Sequence, residues 1–380
     1  GSGKHNNWSI ATDKENLLDP GKTPASNLRF LVFLAAVIQG VDDYQDVLRI
    51  AVASAGNDHR LGANEAPPAV ISIFLGDELG REVDAIIAGK EDDGAEAVYM
   101  DLGVEVLPSF ERDNTDRNRT SPFAFTGNKF ELRMVGSQQN ISDPNMVLNT
   151  AVAEQFDRFA TDLEGVAPER FKSKAMAWVR ETFKAHQRIL FEGNGYAGEW
   201  EQEAERRGLP NLKTTPEALP AIIDPANIAF FEKYGVMGAS ELHARYIAKC
   251  EQYAKLLNIE ANTMSYMVRH LYLPALIDYS GNVATSVATK AEIGIEASAE
   301  REIVNTLTAG IDTIYAAVSD LEAENAEAKR QVTPQAKCDY YLNTVIPAME
   351  HMRRTVDAME RLCGNDYWPV PSYNEMLFYV

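Results

Sequence analysis

The distribution of apolar and polar positions divides the chain into two parts. Up to about Pro144, short apolar stretches alternate with loops rich in Gly, Pro, Asn and Asp. Beyond Pro144, apolar residues recur every three or four positions, the spacing of helices that bury one face. The pattern therefore predicts a mixed α+β part over residues 1–144 and a helical part over residues 145–380.

One helix and two strands stand out in the first part. Apolar residues hold mostly one face over residues 27–50, which predicts a helix. The apolar run at residues 66–75 predicts a buried strand. Residues 130–135 alternate between apolar and polar, which predicts a strand with Glu131 and Arg133 on the same face.

Two heptad-like seams dominate the second part, one over residues 303–321 and one over residues 338–363. Between them, Thr333 and Pro334 have the order of a helix N-cap followed by a first-turn proline. The two helices should therefore form a long antiparallel hairpin.

Proline and glycine set the expected breaks in this part. A long helix over residues 242–273 should end at Pro274, and Pro347 should kink the last helix of the hairpin. The polar stretch at residues 193–220, punctuated by Gly and Pro, predicts a long ordered loop.

Charge and composition exclude some classes of function. The chain has 380 residues, enough for two or three domains, and 36 basic against 56 acidic residues give a net charge of −20. That charge argues against non-specific nucleic-acid binding, although a local cluster of arginines can still hold ATP. The longest apolar run, residues 30–38, is too short to span a membrane. We expect a cytoplasmic protein with no nucleic-acid or membrane partner.

Cysteine and histidine give no metal-binding spacing by themselves. The three cysteines lie far apart in apolar helical patterns, so buried reduced thiols are expected. The histidines of the helical regions have no partner at metal-ligand spacing, and a surface or interface role is expected for them; they are His186, His243, His270 and His351.

Three polar clusters could carry chemistry, and each has an ordinary alternative. His5 lies in a Gly-rich polar segment, residues 1–9, that composition alone would treat as a disordered tail. The loop at residues 56–68 is dense in hydrogen-bonding groups and leads into the predicted buried strand, but a well-capped turn would look alike.

The third cluster combines arginines with a carboxylate. Arg117 and Arg119 precede Glu131 and Arg133, and this set suits a nucleotide and metal site. Arginine clamps phosphate oxygens in bidentate fashion, and carboxylate oxygens bind Mg²⁺. A surface salt bridge between Glu131 and Arg133 would explain the strand residues equally well.

Together, and in this order, the clusters resemble glutamine synthetases. Gly-Ser-Gly-Lys-His-Asn-Asn-Trp-Ser at residues 1–9 resembles the segment that supplies a histidine metal ligand. Asn-Glu-Ala-Pro at 64–67 resembles the mobile flap, and Arg-Asn-Arg at 117–119 resembles the nucleotide motif. Lys-Phe-Glu-Leu-Arg at 129–133 resembles the late metal-and-phosphate strand.

The sequences of these motifs are similar to the type III branch of the family in particular. Four segments resemble signature sequences of that branch: residues 54–68, 118–131, 211–216 and 367–371. The resemblance therefore covers essentially the whole chain. It implies an α+β fold: the second half of the catalytic β-sheet or barrel, followed by a large helical C-terminal region.

The resemblance also implies an activity and its partners. Members of the family join ammonia to L-glutamate with ATP through a γ-glutamyl phosphate intermediate, using Mg²⁺ or Mn²⁺. Their assemblies imply a homo-oligomer, a double-ring dodecamer whose sites are shared between subunits.

The resemblance carries specific roles onto this sequence. His5 and Glu131 would bind the metal that bridges the ATP phosphates, and Arg133 would hold the transferring phosphoryl group. Glu65, on the flap, would shield the acyl phosphate from water and take a proton from ammonium.

Further positions would bind the substrates. Arg119 and Ser9 would hold ATP, whereas Arg60 and the backbone of Gly1 and Gly3 would line the glutamate end.

Two departures from the commoner bacterial pattern affect this assignment. The flap is one residue shorter between Arg60 and Glu65, which bears on the equivalence of Arg60. Ala124 stands where a second nucleotide-binding arginine is expected.

Two further expectations concern the whole protein. Most metal carboxylates of the family precede the histidine segment, so we expect this chain to be a fragment that is inactive by itself. The alternatives are a γ-glutamyl-polyamine ligase of the same superfamily and a non-catalytic ring-forming or regulatory module.

Overall fold

The computed structural model describes residues 3–63, 66–89, 99–100, 110–111 and 120–378. The chain divides into two compact units, Gly1–Tyr246 and Ile247–Val380. The change from a mixed to a helical sequence pattern near Pro144 coincides with the start of a long helix at Ser142. As a domain boundary, residue 144 stays a prediction.

A small open sheet lies in the first unit. Its strands are β1 (Gly3–Trp8), β2 (Ile73–Phe74), β5 (Phe123–Phe125) and β6 (Phe130–Gly136), in the order β1-β6-β5-β2. β6 pairs antiparallel with β1 and β5, whereas β2 runs parallel to β5. A separate antiparallel pair is formed by β3 (Tyr99–Met100) and β4 (Phe110–Glu111).

Helices make up most of the rest of the first unit. In chain order they are α1 (Leu28–Asp43), α2 (Gln45–Ala51), α3 (Ala55–Asp58), α4 (Asp77–Ala88), α5 (Ser142–Leu163), α6 (Pro168–His186), α7 (Gly198–Arg206), α8 (Thr215–Ala218) and α9 (Pro225–Lys233). Short 3₁₀ turns lie at Pro24–Ser26, Gln187–Ile189 and Leu219–Ile223. α1 packs against α5 and α6 and buries most of its own apolar residues.

The helix predicted over residues 27–50 exists but is interrupted. Asn27 caps α1 by accepting a hydrogen bond from the Phe30 N–H. The chain leaves the helical conformation at Tyr44, whose φ and ψ are −122° and 29°. The Tyr44 hydroxyl donates to Glu154 on α5, so a tertiary partner accompanies the break.

The two predicted strands had different outcomes. The strand at residues 130–135 is confirmed as β6. The strand predicted over 66–75 is wrong in extent, because only Ile73–Phe74 pairs with a neighbour. The run is nevertheless buried, and Pro67 and Pro68 have no N–H to give to a ladder.

The loop predicted over residues 193–220 is wrong, because α7 and α8 lie within it. α7 buries one face through Trp200 and Ala204, and α8 begins with the capping-box residues Thr214 and Glu217. Helices are predicted from apolar residues that recur every three or four positions. A mostly polar helix with few buried residues shows too few of these repeats to be recognised.

Long helices build the second unit. They are α10 (Ala239–Met267), within which the unit boundary falls, α11 (Leu273–Glu292), α12 (Ser298–Ala328), α13 (Pro334–Tyr340), α14 (Ile346–Glu360) and α15 (Tyr373–Phe378). The predicted hairpin is confirmed: α12 packs on α14, and Thr333 caps α13 by accepting from the Ala336 N–H. All three cysteines are buried and free, as predicted.

The prediction at Pro274 needs correction, whereas the kink predicted at Pro347 stays a prediction. The helix does not end at Pro274, because a π-helical segment, Val268–Tyr272, connects α10 to α11 without a break. A second π-helical segment, Tyr341–Val345, precedes Pro347 in the same way. Proline removes an N–H and clashes with the carbonyl four residues earlier, and the wider π turn accommodates both.

The α+β class is confirmed, with a small sheet and a predominance of helix. Within the part of the chain described above, no helix combines the length and the apolar character needed to cross a lipid bilayer.

Candidate functional site

The site is built on β1 and β6, which bring together residues from distant parts of the chain. Asn7 pairs with Glu131, and the register shifts between Lys4 and Asn6. His5 therefore lies beside Glu131, with 2.9 Å between Nδ1 of His5 and Oε1 of Glu131. The first residues form a strand from Gly3 onward, so the alternative of a disordered tail is wrong for His5.

Glu131 connects His5 to Arg133. Its second oxygen, Oε2, accepts hydrogen bonds from Nε and Nη2 of Arg133, at 3.0 and 2.7 Å. Burial acts to raise the pKa of Glu131, but the hydrogen bonds and charge of Arg133, together with His5, outweigh burial and hold the pKa below its ordinary value. The salt bridge considered from the sequence is therefore present, and it is part of a larger polar row.

The donor chemistry at this row suits a divalent metal. An imidazole nitrogen and a carboxylate are both ligands of Mn²⁺, and carboxylate oxygen is preferred by Mg²⁺. Side-chain exposure differs, 56% for His5 and 12% for Glu131, so the pair borders solvent. In the described ranges no cluster of three His, Cys, Asp or Glu residues could hold a metal ion. The pair fits part of a coordination sphere.

Arg60 is held against the end of β6. Its Nη2 donates to the carbonyl of Arg133 at 2.8 Å, and its Nη1 donates to the carbonyl of Met134 at 3.1 Å. Asn57 supports the same arrangement, because its amide donates to Met134 at 2.8 Å and its Oδ1 accepts from Arg60. Arg60 is 5% exposed, and burial lowers the pKa of its guanidinium.

Gly3 makes the position of Arg60 possible. A Cβ at Gly3 would overlap the Arg60 guanidinium, so only glycine lets the side chain lie against β1. The structure therefore places two of the predicted glutamate-end residues, Gly3 and Arg60, in direct contact.

Ser9 lies beyond the end of β1, near the β5–β6 turn. Its hydroxyl is 2.7 Å from Oδ1 of Asn16 and 3.1 Å from the carbonyl of Asn128. Ala124 pairs with Glu131 across β5 and β6, so both side chains share one face. This register places the expected second arginine position beside Glu131, where this chain has only a methyl group.

Three predicted site residues lie outside the described residues: Gly1, Glu65 and Arg119. Their roles stay predictions.

The sequence reasoning missed one buried polar cluster beside the site. Asp58 accepts hydrogen bonds from Arg49 on α2 and from Thr215 on α8. One sequence signal was available for this cluster. Its residues Asp58 and Thr215 lie in segments 54–68 and 211–216, which both resemble signatures of the same branch of the family. Nothing in their sequences shows that they touch.

Comparison with known proteins gives a consistent set of relatives. The family model described as glutamine synthetase C-terminal domain matches residues 175–291. A glutamine synthetase of Butyrivibrio fibrisolvens is 41% identical over 386 residues, which cover 100% of this chain and 54% of that protein. A type-3 glutamine synthetase of Dictyostelium discoideum is 41% identical over 388 residues, covering 100% of this chain and 52% of that protein.

A glutamine synthetase of Bacteroides fragilis (strain YCH46) is 36% identical over 390 residues, covering 100% of this chain and 54% of that protein. The chain thus spans about half the length of the curated relatives that it matches.

Proposed function

This chain belongs to the glutamine synthetase family, and from that premise we propose that it forms part of an enzyme that makes L-glutamine from L-glutamate, ammonia and ATP. The observation that supports this activity best is the row of His5, Glu131 and Arg133. The family resemblance assigns these side chains to one metal and phosphate site, and Glu131 is in hydrogen-bond contact with both His5 and Arg133.

The chemistry explains why such a row is useful. The side-chain carboxylate of glutamate is a poor electrophile, so ATP first phosphorylates it and ammonia then displaces phosphate. Phosphoryl transfer depends on positioning and on positive charge around the moving group. Arg133 is buried and hydrogen-bonded to Glu131, and in this proposal it would stabilise that charge.

His5 and Glu131 would hold Mg²⁺ or Mn²⁺ in this proposal. The bound metal would supply charge neutralisation at the phosphates. Glu131 also orients Arg133 through its second oxygen. One carboxylate would thus coordinate the metal and position the phosphoryl-binding arginine together.

The remaining roles divide between the two ends of the site. Arg60, packed on Gly3, would bind the carboxylate of glutamate, with Gly1 nearby. Ser9 and Arg119 would contact ATP. Glu65 would close over the acyl phosphate, exclude water and accept a proton from ammonium, because a carboxylate attracts ammonium and can act as a base.

The assembly belongs to the same proposal. The relatives are about twice as long as this chain, and two metal donors are too few to hold several ions tightly. We expect the complete site to require additional carboxylates, in a cytoplasmic homododecamer with sites shared between subunits.

The test is phosphate release by the full-length product of the source gene. The protein is supplied with Mg·ATP and ammonia, with and without glutamate. Glutamate-dependent phosphate release, with glutamine formed in equal amount, is the expected result.

Other outcomes would contradict the proposal. Phosphate release that requires a polyamine in place of ammonia would indicate a γ-glutamyl-polyamine ligase. No release with any amine, from a correctly assembled protein, would indicate a non-catalytic assembly module.

A further inference from the structure

A buried contact joins the loop that carries Arg60 to the first turn of α8. Oδ2 of Asp58 accepts from the backbone N–H of Thr215 at 2.7 Å, and Oδ1 accepts from the Thr215 hydroxyl at 2.8 Å. Oδ1 also accepts from Nη2 of Arg49 at 3.2 Å. We call Asp58, Arg49 and Thr215 the Asp58 clamp.

Arg49 extends the clamp along the segment before α8. Its Nε donates to the carbonyl of Leu212 at 2.8 Å, and its Nη2 donates to the carbonyl of Lys213 at 3.0 Å. Arg49 is 1% exposed and Thr215 is 2% exposed. The clamp therefore fixes residues 212–215 through both charge and directional hydrogen bonds.

The electrostatics indicate that this contact serves position more than stability. Burial raises the pKa of Asp58, and Arg49 and Thr215 only partly oppose it. Burial likewise lowers the pKa of Arg49. Removing two charges from water offsets most of their attraction, so a buried ion pair adds little net stability while still fixing geometry.

The position that the clamp fixes is that of Arg60. Asp58 is the last residue of α3, and the backbone N–H of Arg60 donates to the carbonyl of Asn57 at 3.1 Å. The Arg60 side chain then reaches the carbonyls of Arg133 and Met134 on β6. Only His59 separates Asp58 from Arg60, so a shift of Asp58 would be transmitted directly to the guanidinium.

We propose that Asp58 is a positioning residue, which uses Thr215 and Arg49 to hold Arg60 at the glutamate end of the site. This inference rests on the proposed function, through the role of Arg60. Residues 212–215 would thus influence glutamate binding through Arg60, without contacting the substrate themselves.

The test uses the full-length gene product with the substitution Thr215→Val, which removes one donor and keeps the side-chain shape. We expect KM for glutamate to rise about three- to tenfold, the effect of one lost hydrogen bond. KM for ATP and kcat should stay within about twofold, since the clamp does not touch the β1–β6 row. Asp58→Asn should change KM for glutamate in the same direction and by more, because it also removes the charge that faces Arg49.

Two matched variants serve as controls. Thr215→Ser keeps the hydroxyl and should restore the wild-type KM for glutamate. Thr313→Val removes a hydroxyl that donates to the Ala309 carbonyl of its own helix, and it should have no effect on any kinetic constant.

A purely structural clamp would give another result. In that case the melting temperature of Thr215→Val would fall while KM for glutamate stayed at the wild-type value, and the inference would be wrong. An equal rise in KM for glutamate and for ATP would also overturn it, since it would show general loosening.

Failure of the proposed function is distinguishable from failure of this inference. If the wild-type protein makes no glutamine, amide hydrogen exchange over residues 57–61 still tests the clamp. Faster exchange there in Thr215→Val, but not in Thr215→Ser, would support the positioning of Arg60. Unchanged exchange would overturn it.

Discussion

Gly3 shows how a single missing Cβ makes room for the Arg60 side chain. The Arg60 guanidinium occupies the space that a Cβ at this position would need. Arg60 also donates to two β6 carbonyls, so displacing it would break those hydrogen bonds.

We therefore predict that Gly3→Ala lowers stability by about 1–3 kcal/mol, the usual cost of overpacking. It should also raise KM for glutamate, because Arg60 would be displaced. Urea unfolding and steady-state kinetics of the gene product would measure the two effects. Gly56→Ala is the matched control, since nothing lies within 4 Å of a Cβ there. If both alanine variants behave alike, the packing argument is wrong.

Glu131 is the residue on which the proposed metal site depends most. Glu131→Gln keeps the shape but removes the charge that faces His5 and Arg133. We predict loss of metal-dependent glutamine formation and weaker Mn²⁺ binding, measured by titration with the free ion. Glu241→Gln, at an exposed ion pair on α10, should leave both unchanged. Full activity of Glu131→Gln would exclude Glu131 as a ligand.

At the scale of the elements, the two π-helical segments explain why prolines fail to end helices here. Each segment lies directly before the helix whose second residue is proline, Pro274 or Pro347. The sequence pattern placed Pro347 within an apolar helical period but wrongly placed Pro274 at the end of one. It could not show that the backbone would widen locally, because that choice depends on packing against neighbouring helices.

We predict that Pro274→Ala changes the free energy of unfolding by less than about 1 kcal/mol, since the π turn already removes the clash. A new proline without such a segment should behave differently. Thr313→Pro, in the regular interior of α12, should cost about 3 kcal/mol or more. Urea unfolding would compare the two, and equal costs would contradict the role given to the π segments.

A buried polar cluster fixes the register of helices in the second unit. Nδ2 of Asn325 on α12 donates to Asn258 and Asn262 on α10, at 3.1 and 3.0 Å. Oδ1 of Asn325 accepts from the Tyr341 hydroxyl at 3.1 Å. Asn325 is 4% exposed, so its partners would lose their hydrogen bonds if it were removed.

Asn325→Ala should therefore lower the free energy of unfolding by about 1–3 kcal/mol, because the buried Tyr341 hydroxyl would lose its acceptor. Asn305→Ala, at an exposed position of the same helix, is the matched control and should have little effect. Thermal or urea unfolding measures both. A cost no larger than that of the control would show that the cluster does not contribute to stability.

At the scale of the whole molecule, the proposal that the site needs further carboxylates has a measurable consequence. His5 and Glu131 are the paired donors of the described site, and no third carboxylate or imidazole joins them in the described ranges. We predict that the isolated 380-residue chain binds Mn²⁺ with a Kd of about 10⁻⁴ M or higher, since sites with few ligands bind weakly.

The same isolated chain should form no glutamine under conditions in which the full-length gene product does. Titration calorimetry and a glutamine assay would check the two statements. Glutamine formation by this chain alone would overturn the proposal that further carboxylates are required.

Local patterns in the sequence were sufficient for several features. The period of three and four predicted the helical second part and its hairpin, because amphipathic helices bury one face. Alternation predicted β6 and placed Glu131 and Arg133 on one side of it. Resemblance to one family, carried by short motifs, selected the residues that the structure then placed in one row.

Tertiary structure alone decided the contacts between distant residues. His5 and Glu131 are 126 positions apart, and the register of β1 on β6 brings them together. Asp58 and Thr215 are 157 positions apart and meet because each needs a buried hydrogen-bond partner. The break at Tyr44 and the irregular backbone before Ile73 likewise depend on contacts with distant parts of the chain. Local periodicity records which side chains are buried, whereas the partner of each buried polar group depends on the whole fold.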